Sequence, residues 1–490
     1  MRQSGILLHI TSLPSPGYVG TLGACARQFV DFLRDSGMTV WQVLPIGPTG
    51  YGESPYQSAS TFAGNPLLID EGELVAAGYL EAALPPEDVE NPELVDYERA
   101  RRRSEKMLRV AFERDRTRSA ELAREFKQRH AWADDYALFA AIKRHFGDIS
   151  WMKWPDQALR RREKAALDKY RALLSDEIEY HLFVQALFFE QWAALKNYAN
   201  MRGIKLFGDM PIYVAEDSAD LWANPEGFQL DENLTPTRVA GVPPDYFSED
   251  GQLWGNPLYD WKAMKKREFD WWIERLRAAG EMFDMLRVDH FIGFANYYSI
   301  PYGAKNARVG MWVYGPGKKF FQVVRKKLPK LCVIAEDLGV VSEHVIHVKR
   351  YCGYPGMKIL CFGFDTDLSD PGLPDNYPEN CVAYTGTHDN DTLLGWWAKA
   401  TDEQKALARE ALHFETDGEV REAFISALFG SRANTVIVPM QDALGLDGHA
   451  RMNLPGTIGN NWLWRMREGA ADKELSNWLK ELNRKTARGK

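Results

Sequence analysis

Residues 285–294 read MLRVDHFIGF, an apolar run that delivers Arg287, Asp289 and His290 in quick succession and then turns apolar again. Along a strand, residues two apart share a face, so Arg287 and Asp289 point to the same side. A cation beside a carboxylate favours its ionised form, the state a nucleophile needs. A second acidic run, IAEDLG, offers Glu336 and Asp337. A carboxylic acid kept protonated there would give its proton to a departing oxygen, and the pair would suit glycosidic-bond chemistry. The residues alone do not choose between Glu336 and Asp337.

Other apolar runs also close on acids: Asp209 in IKLFGDMPIYV, Asp365 in MKILCFGFD, Asp389 in CVAYTGTHDND and Asp442 in TVIVPMQD. One acid at one strand end is an ordinary helix cap. Acids at six strand ends are expected to converge on one small area, where like charges raise each other's pKa. Such a cluster suits metal binding or two-carboxylate acid–base catalysis. Metal fits less well, because the Asp and His of VDHF and THDND are sequence neighbours that cannot easily share a face. DND also lacks the rest of a calcium loop. No metal and no organic cofactor are expected.

Something must hold these acids together. Eight near-continuous apolar runs cover residues 5–13, 40–48, 204–214, 285–291, 331–339, 357–365, 381–391 and 435–442. Runs of this kind suit parallel strands buried on both faces. Between them lie helical patterns such as REFDWWIERLRAAGEMF, in which Phe269, Trp272, Ile273 and Leu276 recur at helical spacing. The expected fold is α/β, a (β/α)8 TIM barrel over 1–490 with catalytic groups at the C-terminal strand ends. Residues about 80–200 are charged and helical in pattern, and are expected to form an inserted, mainly helical subdomain. Residues about 214–262, rich in Pro, Gly, Trp and Asn, are expected to form an inserted lid or acceptor-binding loop.

Bulk composition narrows the partners. The 490 residues are 45% hydrophobic and 26% charged, with a net charge of -8. That balance argues against nucleic acid or an anionic membrane surface as partner. Sixteen Trp and 20 Tyr supply core, and also flat faces on which sugar rings can stack. The five cysteines show no CxxC or Cys/His metal spacing, and the three inside strand-like runs, Cys332, Cys361 and Cys381, read as small buried hydrophobes of a reducing compartment. The N-terminus lacks a secretory pattern and no run approaches the ~20 apolar residues of a membrane span. A cytoplasmic location is expected.

Several blocks together resemble a known family. GILLHITSLPSP, WQVLPIGPTGYGESPYQSASTFAGNPLLID, GDMPIYVAEDSADLW, GVPPDYFSEDGQLWGNPLYDW, LRVDHFIGF, IAEDLGVV, YTGTHDNDT and RMNLPGT span nearly the whole chain. They resemble the amylomaltases, the 4-α-glucanotransferases of glycoside hydrolase family 77. The early start of the first barrel run is similar to members without an N-terminal extension. The resemblance implies a barrel of the α-amylase clan without a separate C-terminal β-domain, working by retaining double displacement. It implies Asp289 as nucleophile, Glu336 as general acid/base and Asp389 as the third carboxylate favouring the oxocarbenium-like state. Arg287 and His388 would orient the nucleophile and hold the sugar at the cleavage subsite, with Asp209 and Tyr56 beside them, Tyr56 beneath the ring. Tyr246, Phe247, Gln252 and Trp254 match acceptor-side contacts, and Asn453 and Pro455 belong to the closing block.

The implied partners are α-1,4-glucans and maltooligosaccharides as donors, with another glucan or glucose as acceptor. The carboxylates cannot decide between transfer and hydrolysis, since Glu336 would deprotonate water or a sugar hydroxyl equally. An aromatic lid that binds acceptor and excludes water would decide it. Two other readings remain: a retaining α-glucan hydrolase of the same clan, and a non-catalytic glucan-binding protein.

Overall fold

All eight apolar runs become strands of one sheet. The computed structural model describes residues 2–244, 249–339, 342–365, 367–370 and 372–489. The strands are β1 (Gln3–Leu7), β2 (Val40–Gln42), β3 (Lys205–Met210), β4 (Met285–Val288), β5 (Val333–Ala335), β6 (Gly356–Ile359), β7 (Cys381–Tyr384) and β8 (Thr435–Pro439). They pair in parallel in the order β6-β7-β8-β1-β2-β3-β4-β5. The two outer strands also meet: the Ala335 amide at the end of β5 donates to the carbonyl of Pro355, next to β6, at 2.9 Å. The sheet is therefore a nearly closed barrel.

Burial explains the runs. Ile6, Val40, Trp41, Leu206, Phe207, Ile334, Ala383, Val436 and Ile437 are all fully buried, as strands covered by helices outside and side chains inside must be. The covering helices turn one apolar stripe inward; Lys318–Lys327 buries Phe320, Phe321 and Val324 while its lysines face out. Polar side chains inside the barrel find partners: the Tyr384 hydroxyl donates to Gln42 Oε1 at 2.9 Å.

Between β2 and β3 the chain forms helices Tyr97–Arg114, Arg116–Arg129, Ala133–His145, Lys164–Leu173 and Ser175–Met201. Asp96 and Asp115 cap the first two by accepting from Arg99 and Arg118 amides. The charge run is the outer face of these helices. Its inner face buries Met107, Leu108, Ala111 and Phe112. Helix Ser175–Met201 also braces the loop after β2. Gln185 bonds both the amide (2.8 Å) and carbonyl (2.9 Å) of Gly64, and Gln191 does the same for Asp70 at 2.7 and 3.0 Å. That loop carries Tyr56.

The segment expected to be a lid loop contains a sheet. Arg238–Val242 and Gln252–Pro257 pair antiparallel, and Asn296–Pro301 and Met311–Tyr314 complete four strands. The sequence reading gave 296–314 no role; Asn296–Pro301 joins this sheet by pairing with Arg238–Val242 on the other side of β4 in the chain. Tyr246 and Phe247 lie outside the described residues. No helix among the described residues is long and apolar enough to cross a membrane.

Candidate active site

Register brings the first acids together. Asp209 on β3 is paired with Arg287 on β4, and Val288 with Ala335 on β5. Asp289 and Glu336 are therefore the next residues on adjacent strands, both leaving the C-terminal rim of the barrel. Arg287 points inward and forks. One terminal nitrogen donates to both oxygens of Asp209 (2.8 and 2.7 Å), the other to Asp289 Oδ1 (2.7 Å). The Asp209 side chain is fully buried and Arg287 nearly so, while Asp289 keeps 28% of its side-chain surface open to the cleft. Burial opposes the arginine's charge, yet Asp209 and Asp289 raise its pKa well above the ordinary value.

His290 then turns the chain. Its φ of 49° lies in the left-handed region, which histidine enters more readily than most residues. The turn aims the His290 amide at Glu336 Oε2 (2.8 Å), and the Leu338 amide donates to Oε1 (2.7 Å). Asp337 points elsewhere, accepting from the Met357 amide at 2.8 Å and from Lys349. The pair that sequence left open thus separates by geometry: Glu336, held by the His290 and Leu338 amides, is the one that acts on Asp289, and Asp337 ties β5 to β6.

The electrostatics differ from the simple expectation for Asp289. Loss of solvent pushes its pKa up to about 8; Arg287 opposes this, while Glu336, Asp209 and Asp389 reinforce it. Arg287 is insufficient because its charge is shared with Asp209. Burial likewise raises Glu336, although Arg287 and its two backbone donors pull the other way. The two carboxyls form one titrating unit.

The remaining groups approach from across the same C-terminal rim. After β7, Thr387 and Asn390 close a tight turn, Asn390 Oδ1 accepting from the Thr387 amide (2.8 Å) and hydroxyl (2.9 Å). His388 and Asp389 sit at its tip. His388 stacks on Tyr56 with centroids 5.1 Å apart and planes 14° from parallel. Burial lowers its pKa against the pull of Asp389, which favours the neutral imidazole. Tyr56 in turn donates to Asp209 Oδ2 at 2.7 Å. Asn453 donates to Asp389 Oδ1 at 2.6 Å. Trp254 meets His290 edge to face at 4.8 Å and donates to Gln252 Oε1 at 3.0 Å.

The structure therefore gathers Tyr56, Asp209, Gln252, Trp254, Arg287, Asp289, Glu336, His388, Asp389 and Asn453. Pro455 is exposed in the turn beyond Asn453, outside this cluster. The predicted convergence of six acids needs correction. Asp365 is exposed and accepts from Gln404 at 2.7 Å. Asp442 is buried, accepting from the Thr385 hydroxyl (2.5 Å) and Leu393 amide (2.7 Å). Both serve local structure. Three residues were missed: His290, quoted in the motif but given no part; Tyr213, 6.4 Å from both Trp254 and His290; and Trp462, 5.9 Å from both Tyr56 and His388. Only His290 carried a signal, its place directly after Asp289. Among the described residues no group of three or more His, Cys, Asp or Glu is arranged to hold a metal ion.

A parallel barrel with carboxylates gathered at its C-terminal rim, Asp289 sharing Arg287 with Asp209 and coupled to Glu336, is an arrangement suited to an enzyme acting on glycosidic bonds. Comparison with known proteins narrows the class. The family model described as 4-alpha-glucanotransferase of glycoside hydrolase family 77 matches residues 8–471. A 4-alpha-glucanotransferase of Thermus thermophilus is 46% identical over 99% of each chain. The amylomaltase of Streptococcus agalactiae, solved in complex with acarbose, superposes with a TM-score of 0.97 at 42% identity, covering 100% of both chains. An α-amylase of Geobacillus thermoleovorans shares the fold alone, with a TM-score of 0.50 at 10% identity over 99% of this chain and 78% of its own. The chain belongs to the 4-α-glucanotransferases of glycoside hydrolase family 77.

Proposed function

We propose that the cleft passes a segment of an α-1,4-glucan to the 4-hydroxyl of a second glucan or of glucose by double displacement with retention. Asp289 attacks the anomeric carbon while Glu336 protonates the departing oxygen, giving a glycosyl ester. Glu336, now ionised, takes the proton of the incoming hydroxyl as the ester breaks. Asp389 receives sugar hydroxyls and favours the flattened, positively charged ring. Neutral His388, stacked on Tyr56, offers a donor to the same sugar.

The observation that carries this reading is the unequal support of two neighbouring carboxyls. Arg287 bonds Asp289 directly, whereas Glu336 is held by two backbone amides and, among the described residues, forms no ion pair. A single proton shared by the pair is best placed on Glu336, leaving Asp289 as the anion. The acarbose complex of the Streptococcus agalactiae relative supports a glucan as ligand. Trp254, Tyr213 and His290 form an aromatic wall, with Gln252 bonded to Trp254, that reaches Glu336 through the His290 amide, and we assign the acceptor to that side.

The test is the product ladder from pure maltotriose. Transfer yields glucose and longer oligomers with a constant number of reducing ends. A steady rise in reducing ends would mark a hydrolase instead. Binding without turnover, unchanged in Asp289→Asn, would mark a binding protein.

A further inference from the structure

The closing block RMNLPGT reaches the cleft through more than Asn453. Arg451, two residues earlier, is half-buried and spreads its guanidinium across two main-chain carbonyls. Its Nη2 donates to the Asp389 carbonyl at 2.6 Å and its Nε to the Asn453 carbonyl at 2.7 Å. The Asn453 amide donates to the His388 carbonyl at 3.1 Å. Two segments more than 60 residues apart are thus stitched side by side. The stitch sets the distance at which the Asn453 side chain meets Asp389 Oδ1. One oxygen of Asp389 is occupied in this way, and the other is 3.4 Å from His388 Nε2.

We infer that Arg451 is a positioning residue for the transfer reaction: it sets the orientation of Asp389 by fixing Asn453 against the 388–389 backbone. The inference rests on the role proposed above for Asp389. A planar fork is required, because two carbonyls on different segments are satisfied at once by two N–H groups of fixed divergence; an ammonium on a flexible stem fixes no such angle. The turn itself does not depend on Arg451. Thr387 and Asn390 close it internally, and the Asp389 amide donates to Thr387 Oγ1 at 3.3 Å. Removing the fork should therefore leave the turn folded and let Asp389 swing. The family resemblance placed Asn453 in this block without indicating what orders it.

The test is a double-mutant cycle with an activated maltosyl fluoride donor, whose departure needs little protonation, so that slow variants stay measurable. Arg451→Lys should lower kcat roughly tenfold, the order expected for losing one charge-assisted hydrogen bond, with little change in donor KM or in Tm. In an Asp389→Asn background the same substitution should cost less than about twofold, since the group it positions is already disabled. A similar penalty in both backgrounds would overturn the inference while leaving the role of Asp389 intact. So would a loss of Tm proportional to the loss of rate, which would make Arg451 a purely structural clamp. If Asp389→Asn alone turned over normally, the site assignment would fail first, and this inference with it.

Discussion

Asp209 and Arg287 lie in register on neighbouring strands, and both oxygens of the aspartate meet one nitrogen of the arginine. The ion pair is buried, and it occupies half of the fork whose other half holds Asp289. Removing one partner of such a pair leaves an uncompensated charge in a site with little water. Arg287→Ala is expected to lose about 3–5 kcal/mol of stability and nearly all activity. Arg287→Lys keeps a cation but cannot span both carboxylates, so it should recover stability better than kcat. Thermal unfolding alongside maltotriose disproportionation checks both; equal recovery of the two would show that charge, not the fork, is what matters.

The shared proton of Asp289 and Glu336 has a sign that can be measured. A carboxyl whose folded pKa is raised binds more protons than its unfolded counterpart. For this pair the contribution to stability is fully present below about pH 4 and is lost as the shared proton leaves, in the range to which burial pushes Asp289, about 8. Asp289→Asn removes this term, so the variant should gain in Tm relative to the parent as pH rises from 5 to 8. Asp220 and Asp442, both pushed up to about 6 by burial, titrate in the same window. They are common to both proteins and cancel in the difference. A Tm difference that is flat with pH would show that the pair holds no shared proton in this range. The rate should fall on the alkaline side as the pair loses its last proton.

Glu336 and Asp337 are neighbours with separate tasks. Glu336→Gln should cost ~10²–10⁴-fold in kcat, the range typical of acid–base groups. Asp337→Asn should leave the rate constant within a few-fold and lower Tm, since it loosens Lys349 and the Met357 amide. Comparing kcat and Tm for the two variants decides the matter. A rate loss in Asp337→Asn as large as that in Glu336→Gln would reverse the roles assigned here.

What could be read from sequence follows from what is local. The eight barrel strands were legible because burial on both faces writes an unbroken apolar run, and Arg287–Asp289 was legible because alternation along a strand is local too. Strand-end acids were not sorted: Asp442 caps and braces, Asp289 lies at the cleft, and in one dimension both are an acid closing an apolar run. The second sheet escaped because its strands are short, several carry glycine or proline, and its central pairing crosses β4 in the chain. The left-handed turn at His290 and the contact of Asn453 with Asp389 depend on tertiary placement, which no periodicity records.

The choice of acceptor should be set where the catalytic carboxyls have no say. Trp254 stands edge-on to His290 at 4.8 Å, its indole nitrogen bonded to Gln252, with Tyr213 behind both. His290 is the residue whose amide holds Glu336. An acceptor glucan resting on Trp254 would therefore place its hydroxyl next to the base that must deprotonate it, and a well-oriented hydroxyl can reach an effective molarity of roughly 10⁵ M or more. Without that platform the glycosyl ester would wait longer and meet water instead. Trp254→Ala is expected to raise the KM for acceptor about tenfold, consistent with ~1.4 kcal/mol of lost ring contact. Donor cleavage, read from release of fluoride from maltosyl fluoride, should be nearly unchanged in its first turnover. The reducing-end count from maltotriose, constant in the parent, should then climb. If acceptor KM and reducing-end count both stayed at parental values, the aromatic wall would have no part in acceptor capture, and exclusion of water would have to be sought on the Tyr56 and His388 side of the cleft.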